Sequence, residues 1–597
     1  MTGTKKETHD MKQHISKLFF LFRQHDGWLQ PIVRQWHIFL AYIFMVGWTS
    51  VLQNFTNRAF VIFLHSYVAV ALVHWTRSRW TKALVLTMMF TLFLINASLE
   101  VNFDLNISPS MLTLLAETTR QESAEFIHTL WRISTIWIVP VLAVLVGLFL
   151  WWGEHGGSQR VAERIRHSRA YGGLQVVSAI MLVAGILSSW CYVTLFQCKT
   201  PDDVSAWNSH MRYPSDALTR TVIAFYDTHL AKMEIEEAIR VAKNTEPSAY
   251  EGNSEDSLNV VLVIGESYIK SHSSLYGYRL DTNPFLTKEQ EEGRLFVFND
   301  VVAPYNLTTN VMRNLISCNS LSDGQRWKDY PPLTAVFKKA GYWVSMYDNQ
   351  KTFSLAATFT FALNTYLYTP RMASLCYDEL NDTTFAYDAQ MVEHYKEAIC
   401  RPKKLSLTIF HLMGQHATFS MRYPPEFEHF TADSIKRNEK WMTKSKRRYI
   451  AQYDNATLYN DYVMKQIISC FTDQETVLVY LADHGEEVYD YRNRTGRFGG
   501  NDLKQLLRYQ YSVPFFVWCS DRYMQKYPEK INLLRQSICR PFITDNTCQL
   551  LFHLGGLRHS PYYQSQNDIL NPNYMCKQRI LDDRYDYDQI QSELNKK

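Results

Sequence analysis

The sequence predicts two parts: a membrane domain of five transmembrane helices, then an exported α/β domain. Three observations carry that reading. Long apolar runs are confined to residues 36–197, Lys and Arg mark the same side of those runs, and from Leu258 onward short β-rich runs alternate with helical stretches. A chain of 597 residues has room for both parts. Its net charge of +4 is small for that length and argues against a dedicated nucleic-acid binder. There is no internal repeat, no low-complexity tract and no long Gly/Ser linker.

A bilayer takes roughly 20 helical residues to cross. The five candidate spans are Trp36–Val51, Phe60–Trp75, Ala83–Leu99, Thr135–Trp152 and Leu174–Phe196. No short apolar core with a small-residue cleavage site opens the chain, so the first span reads as an uncleaved anchor. Lys5, Lys6, Lys12, Lys17, Arg23 and Arg34 precede span one; Arg77, Arg79 and Lys82 follow span two; Arg160, Arg164, Arg166 and Arg169 follow span four. With five spans these segments share one side, the cytoplasmic one, while the loop with Glu100, Asp104, Glu117, Glu122 and Glu125 lies opposite. An odd number of spans then exports the rest of the chain. Residues 1–35 form a cytoplasmic segment, 36–197 the membrane domain, 198–257 interfacial helices or a plain linker, and 258–597 the exported α/β domain. Nine of the ten cysteines lie at or beyond the outer end of span five, where disulfides form; Cys376 with Cys400 is one candidate pair.

In the exported domain the clearest strands are Asn259–Ile264, Tyr342–Met346, Ser406–His411, Thr476–Leu481 and Val513–Trp518, a pattern suited to a largely parallel sheet. Four of them run into polar residues: Gly265-Glu266-Ser267, Asp348-Asn349-Gln350, Gly414-Gln415-His416 and Asp483-His484-Gly485-Glu486. Ligands gather beyond the carboxyl ends of such strands. Glu266, His416, Asp483 and His484 can therefore meet, and two carboxylates with an imidazole are good zinc ligands. Singly, each is more simply a helix cap or a solvated loop residue.

These residues sit in segments that resemble the bacterial phosphoethanolamine transferases. Val263-Ile264-Gly265-Glu266-Ser267 is followed in order by Ser274-Leu275-Tyr276-Gly277-Tyr278, Thr282-Asn283-Pro284 and Tyr347-Asp348-Asn349-Gln350. After them come His411-Leu412-Met413-Gly414-Gln415-His416, Arg422-Tyr423-Pro424-Pro425-Glu426-Phe427 and Asp483-His484-Gly485-Glu486-Glu487-Val488-Tyr489-Asp490, the last similar to the branch acting on lipopolysaccharide core. The resemblance implies an alkaline-phosphatase-like (sulfatase-like) fold and a threonine nucleophile on Zn²⁺. It places the nucleophile at Thr308, with Thr309 as the alternative, and the metal on Glu266, Thr308, Asp483 and His484. His416 would assist the phosphoryl group, and Asn349 with His416 would contact substrate. The implied reaction moves phosphoethanolamine from phosphatidylethanolamine, through a covalent threonine intermediate, to lipopolysaccharide or another glycan, in the periplasm at the bacterial inner membrane. Without the family, Thr308-Thr309 before a helix is most simply an N-cap.

One departure stands out. Relatives carry a further histidine soon after the Asp-His pair, whereas Tyr491–Asn501 has none. A second zinc site is therefore in doubt. Arg494 or Arg497 would be the substitute for phosphate, solvated loop arginines being the simpler reading. A phosphoglycerol transferase of the lipoteichoic-acid-synthase type shares the layout, and a non-catalytic membrane scaffold is the other alternative. Sulfatase activity is disfavoured, since neither Cys318-Asn319-Ser320 nor Cys519-Ser520-Asp521 fits the formylglycine pattern.

Overall fold

The computed structural model describes residues 33, 35–52, 59–75, 79–103, 107, 137–153, 155, 158–201, 203–204, 207, 217–253, 255–350, 365–497, 503–583 and 585–595. Contacts divide the chain into Met1–Met233 and Glu234–Lys597. Most of the basic N-terminal segment and most of the acid-leaning loop, with Asp104, Glu117, Glu122 and Glu125, lie outside the described residues.

In the first unit the apolar runs fall on helices α1 (Trp36–Leu52), α2 (Ala59–Trp75), α3 (Arg79–Phe103), α4 (Ile138–Trp152) and α6 (Tyr171–Ser189, continued by a 3₁₀ turn to Gln197). The basic stretch before α6 is itself a short helix, α5 (Ser158–Arg166), with Arg164 and Arg166 in its last turn. Tyr42, Tyr67, Val70, Ala71 and Leu182 form the interior of the bundle, where the Tyr67 hydroxyl meets Ser178. Val144, Leu145, Leu148 and Trp151 of α4 point outward instead. A helix apolar on both faces suits a lipid surrounding rather than water. By length and composition Tyr171–Gln197 is long enough to cross a membrane, and Trp36–Trp48, Phe63–Trp75, Ala83–Leu99 and Pro140–Trp152 are shorter apolar helices.

Helix α7 (Ala217–Lys243) runs as one element across the division between the units. Its C-terminal turns bury Ala238, Ile239 and Ala242 in the core of the second unit.

The second unit is built on a seven-stranded sheet. Its strands are β1 (Leu258–Gly265), β2 (Leu295–Val297), β3 (Trp343–Asp348), β4 (Glu379–Leu380), β5 (Leu405–His411), β6 (Thr476–Ala482) and, after the small hairpin β7 (Glu487–Val488) and β8 (Thr495–Gly496), β9 (Phe515–Cys519). The order across the sheet is β2-β9-β6-β1-β5-β3-β4. Strands β6, β1, β5, β3 and β4 are parallel, while β9 runs antiparallel to β6 and β2. All eight residues of β1 are buried. Such unbroken apolar runs mark a strand covered on both faces, which is why they lack alternation in the sequence. Parallel register aligns the strand ends: Ile264 pairs with His411 and with Leu481, and Gly265 with Ala482. Glu266, the loop after His411 and Asp483 therefore leave the sheet along one edge.

Among the described residues a disulfide joins Cys400 to Cys470, across 70 residues, and Cys376 is a buried thiol. The expected Cys376–Cys400 pairing is corrected accordingly. Cys400 precedes β5 and Cys470 ends the long helix α9 (Lys444–Ser469), so the bond ties that helix to the sheet.

Candidate metal centre and nucleophile

Glu266, Asp483 and His484 converge at the carboxyl ends of β1 and β6, with one ligand atom from each lying within 4.8 Å of the others. All three are fully buried. The backbone holds them there. Asp483 N–H donates to the Gly265 carbonyl (2.9 Å), extending the β1–β6 ladder one residue beyond the strands. Asp483 Oδ1 accepts from the N–H of Ser267 (3.0 Å) and of His484 (2.7 Å), and Ser267 takes φ 53° in making this turn. Two glycines allow the close approach. A Cβ on Gly485 would lie 2.0 Å from the Tyr509 carbonyl oxygen, and one on Gly414, at φ +44°, would lie 2.9 Å from the Glu266 nitrogen.

Thr308 opens helix α8 (Thr308–Ile316); the cap position is Leu307, in extended conformation, so Thr308 is not an N-cap. Its hydroxyl donates to Glu266 Oε2 at 3.1 Å and lies 3.2 Å from His484 Nε2. It is thus Thr308 that meets both side chains, at a helix terminus whose free N–H groups favour an anion.

His484 Nδ1 lies 2.9 Å from the Gly485 carbonyl and donates to it, which leaves Nε2 as the acceptor. That nitrogen faces Asp483 Oδ2 at 3.1 Å and Glu266 Oε1 at 3.5 Å. Asp483 Oδ2 is buried without a hydrogen-bond partner among the described residues. Three acceptors turned on one point call for a cation. Burial, and next the Arg497 guanidinium, drive the His484 pKa down to about 3, so the ring is neutral and able to ligate. Burial, then the neighbouring Glu266, hold Asp483 well above the usual carboxylate range. Burial acts the same way on Glu266 but is outweighed by the Arg497 guanidinium and by the hydrogen bond from Ser267, and this carboxyl stays ionised. Two carboxylates, an imidazole nitrogen and a hydroxyl fit Zn²⁺ in number and kind.

Around these residues the structure adds Gln350, to which the sequence reading gave no role, and chooses between the two arginines it named. Gln350 Nε2 donates to Glu266 Oε2 (3.0 Å) and to the Leu412 carbonyl (2.8 Å), orienting the carboxylate. Arg497 Nη1 donates to His484 Nε2 and, at 3.1 Å, to the carbonyl of Asn306, just before Thr308. Its Nε lies 3.4 Å from Glu486. Arg494 is exposed, so of the two candidate arginines Arg497 is the one in the site and not a solvated loop residue. His416 is half-buried on the loop after β5, within electrostatic reach of Glu266 and His484. Asn349 is spent on structure: its amide donates to Asp388 (2.8 Å) and accepts from Phe385 N–H (2.7 Å). The neighbouring Gln350, not Asn349, reaches Glu266.

Residues 258–537 match the sulfatase family model. The chain is 24% identical over 498 residues to the phosphoethanolamine transferase EptC of Escherichia coli K12, covering 81% of this chain and 82% of that one. It is 25% identical over 279 residues to the Kdo(2)-lipid A phosphoethanolamine 7''-transferase of Escherichia coli K12, covering 45% of this chain and 46% of that one. The crystal structure of the C-terminal periplasmic domain of EcEptC from Escherichia coli superposes with a TM-score of 0.50 and 26% identity, covering 58% of this chain and 97% of that one.

Proposed function

We infer, for a chain that belongs with the phosphoethanolamine transferases and is an enzyme of that kind, that it moves phosphoethanolamine from phosphatidylethanolamine to lipopolysaccharide. The acceptor is a hydroxyl or phosphate of lipid A or of a core sugar. The observation that carries the reading is the Thr308 hydroxyl, buried at a helix N-terminus between Glu266 and His484. Support for the acceptor class comes from the relative named for Kdo(2)-lipid A.

Glu266, Asp483, His484 and Thr308 would hold Zn²⁺. Bound there, zinc would supply Lewis acidity, lowering the pKa of a hydroxyl that otherwise lies far above neutrality. Thr308 Oγ attacks the phosphorus, the bond to diacylglycerol breaks, and the departing oxygen takes a proton. An acceptor hydroxyl or phosphate oxygen then attacks the phosphoethanolamine-threonine, and Thr308 is regenerated. Glu266 Oε2 accepts the hydrogen bond that orients Oγ. His416 lies to the side of these groups as the residue assisting the phosphoryl oxygens. Five membrane spans would keep the site in the periplasm, beside a lipid donor at the inner membrane.

Mass spectrometry of intact, zinc-loaded protein incubated with headgroup-labelled phosphatidylethanolamine tests this. A phosphoethanolamine adduct on the native chain, absent from Thr308→Ala, is the expected result. No adduct with this lipid, but one with phosphatidylglycerol, would make the protein a phosphoglycerol transferase. No adduct with either would sink the enzymatic reading.

A further inference from the structure

Two arginines near the metal ligands have no place in the scheme so far. Arg497 projects from the end of the β7–β8 hairpin with its Nη1 on His484 Nε2, the same atom that lies 3.2 Å from Thr308 Oγ1. Its orientation is fixed independently by the Asn306 carbonyl (3.1 Å) and by Glu486 (3.4 Å). Once His484 Nε2 ligates a metal, that Nη1 loses one of its two acceptors, at an atom 3.2 Å from Thr308 Oγ1.

Arg422 approaches from another loop. It follows the turn Phe419–Met421, anchored by buried Phe419 against the rings of Tyr449 and Tyr453, and precedes buried Tyr423. The side chain is half-buried, and its Nε is cut off from water without a hydrogen-bond partner among the described residues. The carboxylates that act on it, Asp388 and Glu266, are already engaged. Asp388 accepts from Asn349, Met413 N–H and Gly414 N–H, each at 2.8 to 2.9 Å, and Glu266 accepts from Ser267, Thr308 and Gln350. Burial lowers the Arg422 pKa against the pull of those two acids, the sign of a cation placed where it is costly to keep without an anion. Both guanidinium groups therefore act on Glu266, and both have donor capacity to spare.

We propose that Arg497 and Arg422 form an anion clamp that grips the non-bridging phosphoryl oxygens of the phosphatidylethanolamine headgroup over Thr308. The clamp supplies fixed positive charge beside Glu266 and His484. A guanidinium reaches two oxygens of one phosphoryl group through paired N–H donors, which a lysine ammonium cannot do. This inference rests on the proposed transfer reaction for its ligand, but not for its test.

The test uses the full chain in detergent, loaded with zinc and titrated calorimetrically with inorganic phosphate and with O-phosphoethanolamine. Arg497→Gln and Arg422→Gln should each weaken both ligands by about 10- to 100-fold, the worth of one or two charge-assisted hydrogen bonds. Bound zinc, measured by elemental analysis, should stay at the native value. Arg497→Lys and Arg422→Lys should recover only part of the affinity, and they stand in for a glutamine variant that fails to fold. Vesicles of phosphatidylethanolamine should displace phosphate from the native protein. Displacement only by vesicles bearing a phosphomonoester lipid would assign the clamp to the acceptor and overturn the proposal. So would native phosphate affinity in both glutamine variants. Zinc loss from Arg497→Gln would reduce that residue to a support for His484. If the native protein forms no adduct with phosphatidylethanolamine, the transfer reading fails while the phosphate titrations still judge the clamp.

Discussion

The catalytic domain contains two buried groups of the same composition, one imidazole and two carboxylates, put to opposite uses. In the first, Glu266, Asp483 and His484 turn single atoms on a common point, and the ring is neutral with its pKa near 3. In the second, His272 lies between Asp454 and Asp490, Nδ1 at 2.6 Å from one and Nε2 at 2.8 Å from the other. Burial there opposes charge, but Asp490 and Asp454 outweigh it and raise the His272 pKa to about 10. One carboxylate on each side of a ring makes a salt bridge that no single ion can replace. Carboxylates crowded on one ring nitrogen have the arrangement that suits a metal ion. The difference lies in which ring atoms are presented, and here the backbone decides it. The Gly485 carbonyl occupies Nδ1 of His484, whereas both nitrogens of His272 are open to side chains.

The two groups are also linked. Asp490 lies six residues beyond His484, past β7, and accepts from Val488 N–H at 2.9 Å. Arg437 donates to the carbonyls of Tyr489 (2.7 Å) and Asp490 (2.9 Å). Asp454 belongs to α9, and Tyr278 donates to it at 2.9 Å. The salt bridge thus pins the chain leaving the metal site to the long helix that the disulfide anchors.

The comparison predicts that damage to the first group costs chemistry and damage to the second costs stability. Thr308→Ala should lower phosphoethanolamine transfer by about 10⁴-fold or more, the scale seen when a covalent nucleophile is removed. Its melting temperature should stay near the native one. A variant that melts early would mean that Thr308 supports the fold rather than the reaction.

His272→Gln should do the reverse. Removing one partner of a buried ion pair destabilises by about 3–5 kcal/mol, because charge is left uncompensated. Denaturant unfolding of the full chain measures it. The pH dependence carries a sign. The folded pKa is raised above the ordinary value of about 6.5, so the contribution is complete below that pH and is lost as pH climbs through about 10. The native protein should weaken across that upper range, and His272→Gln should be flat there. Equal alkaline slopes in the two proteins would refute a charged His272.

Chelation sharpens the contrast from the other direction. At free zinc about 100-fold above its dissociation constant, binding to the folded state adds roughly 2.7 kcal/mol. Chelation should remove that increment from the native protein and from His272→Gln, but not from Asp483→Ala. Equal losses in all three would place the metal elsewhere.

How much of this was open to sequence reading follows from the same contrast. Glu266, Asp483 and His484 each end an apolar run, and a parallel sheet brings the ends of its strands together, so their convergence could be read from β1 and β6 alone. Thr308 needed the family resemblance, since a threonine before a helix looks like a cap. His272 left no signal: it ends a single 3₁₀ turn (Lys270–His272), and its partners are 182 and 218 residues away in sequence. Arg497 could be named but not distinguished from Arg494, because the direction of a hairpin side chain depends on a register set by the β7–β8 pairing. Asn349 and Gln350 were separable only by the turn after β3, which spends one amide on Asp388 and aims the other at Glu266. The fifth strand, Val513–Trp518, was placed without its direction, as nothing local tells an antiparallel edge from a parallel one.

Gln350 gives the smallest effect and the finest test of the distinction. It touches no substrate in the proposed reaction; it fixes Glu266 Oε2, the oxygen that also accepts from Thr308. Loss of an outer hydrogen bond to a metal ligand typically weakens metal binding by about 10- to 100-fold. Gln350→Ala should therefore require that much more free zinc for half-maximal adduct formation, with the rate at saturating zinc falling far less than in Thr308→Ala. Gln350→Glu should be worse, because it sets a third carboxylate beside Glu266. If Gln350→Ala instead lost its rate at every zinc concentration, the amide would be acting on the phosphoryl group, and the clamp over Thr308 would have a third member.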